Sequence, residues 1–184
     1  MVQDGQCHHL NYHQERLEDS FFKLFKHQAP YDLQTLLHPP HKDQTYRCRF
    51  IYDDNDFTIE YLPYTRTLRE KYQLVEIDFN YPHKFLDRTE ITDARASLPD
   101  DVESIFIKEG LLTDTSIANL ACLIDGKWLT PKTPLLFGTT RARLIDEKKL
   151  SIADITLEDF KKATKLAFFN ALTGFYEIQI THTE

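Results

Sequence analysis

The chain has 184 residues, of which 28% are charged, 41% hydrophobic and 12% aromatic, so it can bury a sizeable core as one domain or two small ones. Its formal net charge of -7, with no dense Lys/Arg patch, argues against a nucleic-acid surface. No apolar run approaches a membrane span, the first residues lack a secretory-signal pattern, and Cys7, Cys48 and Cys122 form no CxxC pair, which points to reduced thiols in cytoplasm.

In chain order, Asn11 can cap a first helix with Gln14 at its third position and Leu10 as a staple. Leu17, Phe21, Leu24 and Phe25 then form its apolar stripe. Residues 30–42 hold three prolines and scattered histidines and read as a long connection. Strands are expected at 47–52 and 57–62, joined by the polar DDND turn, and at 74–79. Asp87 can cap a helix whose third residue is Glu90. Further strands are expected at 104–108, 117–124 and 127–130, with turns at Glu109-Gly110 and Asp125-Gly126. Thr139 or Thr140 can cap a helix through Leu144 and Ile145. Thr156 with Asp159 begins a longer helix carrying Phe160, Ala163, Ala167 and Ala171, and 175–180 is a last strand. The pattern predicts two small α+β units, residues 1–78 and 79–184, with a border near 75–85.

The chain carries no GxSxG elbow, HExxH, P-loop or Rossmann glycine pattern. His8, His9 and His13 lack a completing carboxylate or cysteine, so no metal site is assigned; His38 and His41 read as surface-loop residues. Two features carry chemistry instead. Lys84 follows the extended run LVEIDFNYPHK and precedes a capped helix start, where one amine could hold an aldehyde, although such a lysine is more often a solvated charge. In PLLFGTTR, residues 134–141, Gly138 joins a turn to a helix start whose amides, with the Thr139 and Thr140 hydroxyls, suit an anion such as a phosphate. An ordinary helix cap is the plainer account of the same residues.

The segments YHQERL at 12–17, YPHKFLDR at 81–88, GLLTDTSIANL at 110–120 and TPLLFGTTRARL at 133–144 occur in the order found in the class IV aminotransferases, which the chain resembles from about residue 10 to 176. These are the fold-type IV enzymes that use pyridoxal 5'-phosphate (PLP), among them branched-chain and D-amino acid transaminases and 4-amino-4-deoxychorismate lyase. The resemblance implies a two-domain α+β protein with a shortened small N-terminal domain, its first strand missing, and a larger mixed-sheet C-terminal domain. It also implies a homodimer and a small amino-group-bearing carboxylate as substrate.

Residue by residue, Lys84 matches the family lysine that forms the Schiff base and moves the substrate proton. Asp114 stands where the family usually has a glutamate facing the pyridine nitrogen; it is one methylene shorter. Arg16 matches a phosphate-holding arginine, although an exposed helix arginine would read the same way. Gly138, Thr139 and Thr140 match the phosphate turn, and Asn119 matches an asparagine that secures the loop placing Asp114. Asn170, beside Ala171, falls at the late phosphate and carboxylate loop. Arg88 follows Lys84 by four residues, where many relatives have asparagine followed by a ring-contacting tyrosine; no catalytic role is assigned to it. Lyase chemistry releasing pyruvate to give 4-aminobenzoate is favoured slightly over amino transfer between small amino and 2-oxo acids. PLP binding without efficient turnover remains a third reading.

Overall fold

The computed structural model describes residues 1–40 and 44–180, so His41 lies outside the described residues. The chain divides into two compact units, Met1–Thr67 and Leu68–Glu184.

The first unit opens with a hairpin, β1 (Val2–Gln3) and β2 (Gln6–Cys7), across the Asp4-Gly5 turn, where both residues have positive φ. Two short strands therefore precede the first helix. Helix α1 (Leu10–Phe25) begins two residues earlier than an Asn11 cap would place it: its N-cap is His9, left-handed at φ 55, with no side-chain cap. Gln14 serves a different end. Its amide accepts from Leu33 N at 2.9 Å and donates to Tyr31 O at 2.9 Å, which ties α1 to the segment before α2 (Leu33–Leu36). Asp32 caps α2, so the long connection contains a helical turn. β3 (Tyr46–Tyr52) and β4 (Phe57–Pro63) form the expected hairpin, with register Tyr46↔Pro63 through Tyr52↔Phe57. The antiparallel sheet runs β2-β1-β3-β4. Leu17 and Phe21 pack with Tyr31, Leu33, Phe50, Tyr52 and Phe57, whereas Leu24 of the expected stripe is exposed.

The second unit begins with β5 (Lys71–Glu76), which pairs in parallel with β6 (Val102–Lys108). That pairing puts the border before β5 rather than after residue 78, and the strand sits earlier than the apolar run at 74–79 suggested. Helix α3 (Thr89–Ala94) follows Asp87, whose carboxylate accepts from Thr89 N at 2.9 Å; the formal N-cap is Arg88. β7 (Leu111–Thr115), not expected from the sequence, completes a three-stranded sheet β5-β6-β7. The Glu109-Gly110 and Asp125-Gly126 turns have positive φ at both residues, which matches the right-handed strand twist of tight hairpins.

The larger sheet has the order β10-β9-β8-β11-β12, built from β8 (Asn119–Ile124), β9 (Lys127–Pro131), β10 (Ser151–Ala153), β11 (Lys165–Asn170) and β12 (Gly174–Ile178). Helix α4 (Thr139–Asp146) enters between β9 and β10. α5 (Leu157–Lys162) has the expected Thr156–Asp159 capping box but stops at Lys162. The residues expected to prolong it, Ala167 and Ala171, do not: Ala167 lies in β11, the strand between β8 and β12, and Ala171 in the turn that follows. Leu166, Ala167, Phe168 and Phe169 are all fully buried, and such an apolar run has no periodicity that separates strand from helix. Ile105, Leu112, Leu120, Leu166 and Phe168 form the centre of the main core.

Candidate active site

Asp114 organises the polar interior of the second unit. It lies in β7 where the register with β6 passes from Ile107↔Leu112 to Ile105↔Thr115, an extra residue on the β7 side. Such a bulge re-aims a side chain out of the strand's alternation. Thr113 donates its hydroxyl to Phe106 O at 3.1 Å, and Thr115 closes the following turn through its backbone and hydroxyl contacts with Ala118.

The Asp114 carboxylate is 4% exposed and receives two hydrogen bonds, from Asn119 Nδ2 to Oδ1 at 2.6 Å and from Leu136 N to Oδ2 at 2.8 Å. Burial pushes its pKa up to about 7, against the pull of the Leu136 amide, Asn119 and the Arg141 guanidinium. Asn119 Nδ2 also donates to Leu136 O at 2.9 Å, so one amide group bridges the acid and the loop before α4.

That loop leads to Gly138, whose φ of -73° is ordinary. What demands glycine there is space: a Cβ would lie 2.0 Å from Asn119 Oδ1. Thr139 and Thr140 start α4 and are both buried. Neither caps it, since Gly138 is the N-cap, and the first intrahelical bond of the turn is Ala142 N to Gly138 O. The amides of Thr139, Thr140 and Arg141 thus precede the helix's own hydrogen-bond ladder, the arrangement that favours an anion.

Lys84 is exposed on the loop between β5 and α3, which Tyr81 pins by donating its hydroxyl to Phe85 O at 2.6 Å. Asn170 ends β11; its Nδ2 donates to Ile117 O at 3.1 Å, and its Oδ1 accepts from Leu172 N and Thr173 N at 2.8 and 2.9 Å. Asp114, Asn119 and Gly138 are brought together directly, and Asn170 joins the turn after β7. Arg16 is half-buried on α1 of the first unit, close enough to Tyr52 for its charge to act on that phenol.

Two residues of this region went unassigned in the sequence. Leu136 contributes both its amide and its carbonyl, which no side-chain pattern can reveal. Arg141 is 5% exposed, donates Nη2 to Pro131 O at 2.8 Å and lies 5.6 Å from the centre of the Phe137 ring. The TTR run at the helix start was its only signal. Among the described residues, no group of three or more His, Cys, Asp or Glu side chains could hold a metal ion. No helix among them is long and apolar enough to cross a membrane.

A buried carboxylate, a helix start with unladdered amides and buried hydroxyls, and an exposed loop lysine are groups whose chemistry fits a phosphorylated pyridine aldehyde. By chemical type, an acid suits a pyridine nitrogen, helix-start amides suit a phosphate and an amine suits an aldehyde. The model of the family described as Amino-transferase class IV matches residues 64–180. An uncharacterized protein of Haemophilus influenzae is 33% identical over 178 residues, 94% of this chain and 95% of that one. The crystal structure of a provisionally assigned 4-amino-4-deoxychorismate lyase from Haemophilus somnus 129PT superposes with a TM-score of 0.86 at 31% identity, covering 94% of this chain and 93% of that one. A provisionally assigned amino-acid aminotransferase from Mesorhizobium loti shares the fold, with a TM-score of 0.76 at 24% identity over 94% and 91% of the two chains. The chain belongs to the class IV aminotransferase family, the fold-type IV PLP-dependent enzymes, with the smaller amino-terminal and larger carboxy-terminal units of that fold. Its cofactor is pyridoxal 5'-phosphate.

Proposed function

We propose that this enzyme is a lyase of the 4-amino-4-deoxychorismate type, releasing pyruvate and forming 4-aminobenzoate. The observation that carries the reading is the likeness, at 31% identity and nearly full coverage of both chains, to a structure assigned provisionally to that reaction. When bound, PLP supplies a conjugated ring that accepts the electron pair set free at the amino-bearing carbon of the substrate.

The chain's own groups do the rest. Lys84 Nζ would hold the cofactor through its aldehyde and would move the proton of that carbon. The electron pair left behind expels enolpyruvate by breaking its C–O bond to the ring. Loss of the proton and of enolpyruvate makes the ring aromatic, so the reaction needs no oxidant. Asp114 would face the ring nitrogen and, as a carboxylate, would favour its protonated form; the bulge in β7 re-aims this shorter side chain. The Thr139 and Thr140 amides and hydroxyls, at the Gly138 turn, hold the phosphate, with Asn119 and Asn170 fixing the loops around them. Arg16 is assigned to the phosphate by its sequence match.

Homodimerisation and residence in the cytoplasm belong to the same proposal. Phe85, Leu86, Ile117 and Phe137 leave large apolar side chains exposed on the second unit, which supports a covering partner.

The test is a product assay on the PLP-loaded protein. Incubation with 4-amino-4-deoxychorismate is expected to give 4-aminobenzoate and pyruvate in equal amounts, and Lys84→Ala is expected to abolish both. Turnover of amino-acid and 2-oxo-acid pairs, with no 4-aminobenzoate formed, would replace the lyase by a transaminase.

A further inference from the structure

Glu103, in β6, is 1% exposed, the most buried carboxylate among the described residues. Its Oε2 accepts from Arg69 Nη1 at 2.7 Å, and its Oε1 accepts from Ser104 N and Ser116 N, both at 3.1 Å, and from the Ser116 hydroxyl. A buried ion pair of this kind adds little net stability over an apolar replacement, so what it contributes is geometry. What it fixes here is Ser116, two residues beyond Asp114 at the start of the turn after β7.

Ser116 has a second partner. Its carbonyl accepts from Arg88 Nη2, and Arg88 closes the loop that carries Lys84 four residues earlier. Arg88 Nε is buried without a hydrogen-bond partner, so this atom adds no second acceptor to the Ser116 contact. The other side of the lysine is held by the Tyr81 hydroxyl on Phe85 O. A continuous set of contacts therefore runs from Arg69 through Glu103 and Ser116 to Arg88, with the Asp114 strand on one side and the Lys84 loop on the other.

We infer that Glu103 and Arg88 are positioning residues that, through Ser116, set where the Lys84 loop stands relative to Asp114. The inference rests on the proposed roles of Lys84 and Asp114 and adds a pair of residues that touch neither cofactor nor substrate. The two act in series: Glu103 sets the turn, and Arg88 registers the loop on it. Removing either leaves the amine and the acid present but misplaced, which slows capture of the aldehyde and shifts the proton equilibrium of the captured form.

The experiment adds PLP to the cofactor-free protein, traps the product with borohydride, and locates the pyridoxyl group by peptide mass spectrometry. The absorbance of the unreduced complex is followed against pH in parallel. Arg88→Met and Glu103→Gln are each expected to slow labelling of Lys84 about tenfold and to move the absorbance midpoint while circular dichroism stays native, with Arg88→Lys restoring part of the rate. The double variant is expected to be little worse than either single one, because the two residues share one path. Labelling of Lys84 at the wild-type rate, with an unmoved absorbance midpoint in native-like Arg88→Met, would overturn the inference alone. Absence of label on Lys84 in the wild-type protein would overturn the reading of the site and the inference together. If Glu103→Gln fails to fold, Arg88→Met and Arg88→Lys decide the matter.

Discussion

Gly138 and Asn119 share a space that admits no side chain at 138: a Cβ there would fall 2.0 Å from Asn119 Oδ1. The same Asn119 amide bridges Asp114 and Leu136 O, so the helix start and the buried acid are set by one close approach. Gly138→Ala is expected to destabilise the protein by about 1–3 kcal/mol through overpacking. PLP affinity should fall with it, because Asn119 and the loop before α4 must shift. Gly138→Ala combined with Asn119→Ala should be less destabilised than the sum of the single variants, since the second change removes the atom the first one meets. Denaturant unfolding and cofactor titration of the four proteins check this.

Asp114 makes the cofactor-free protein sensitive to pH. Its carboxyl is pushed from 3.8 up to about 7 in the folded chain, chiefly by burial. Between those values the folded state keeps a proton that the unfolded state has released, so stability falls as pH rises from about 4 to about 7 and then levels off. Three pKa units correspond to a ceiling of about 4 kcal/mol. Asp114→Asn, which has no such proton, should lack that slope whatever its absolute stability. Urea unfolding of both apo proteins from pH 5 to 8 should therefore show wild-type stability declining relative to the variant; parallel curves would remove the buried acid from the account.

Asn119→Ala should leave Leu136 O and one Asp114 oxygen without their donor, at a cost of about 1–3 kcal/mol. Asn119 is also one of the groups holding the Asp114 pKa down, so the carboxyl titration, followed by carbon NMR in apo protein, should move upward. A loss of stability with an unmoved titration would show that Asn119 only packs.

The three cysteines should react in a fixed order. Cys7 is lowered to about 7 by a hydrogen bond from Cys48, whose own thiol is raised by the same contact, while burial pushes Cys122 up to about 12. Thiolates are the reactive form. A disulfide reagent at pH 7.5 is expected to modify Cys7 first and to reach Cys122 only after denaturation; peptide mapping at successive times reads the order.

The turns at Glu109-Gly110 and Asp125-Gly126, the 46–63 hairpin and the Thr156–Asp159 capping box were legible in the sequence because each is written in residues a few positions apart. The motif segments carrying Lys84, Asp114 and Gly138 were legible for the same reason, and they sufficed for the family. β7 was not, because Thr113, Asp114 and Thr115 are buried polar residues whose partners come from β6, β8 and the loop before α4, so the strand lacks the apolar alternation that marks one. The region of β11 looked helical because Ala163, Ala167 and Ala171 fall at helical spacing, and only pairing with β8 and β12 on either side made the run through Ala167 a buried strand. Only the tertiary structure decided that Gly138 serves space rather than φ, that Asn119 bridges acid and loop, and that Arg88 reaches Ser116 across 28 positions of chain. Burial and long-range hydrogen bonding select those contacts from many the sequence leaves open, since a backbone amide or carbonyl is the same in every residue that offers it.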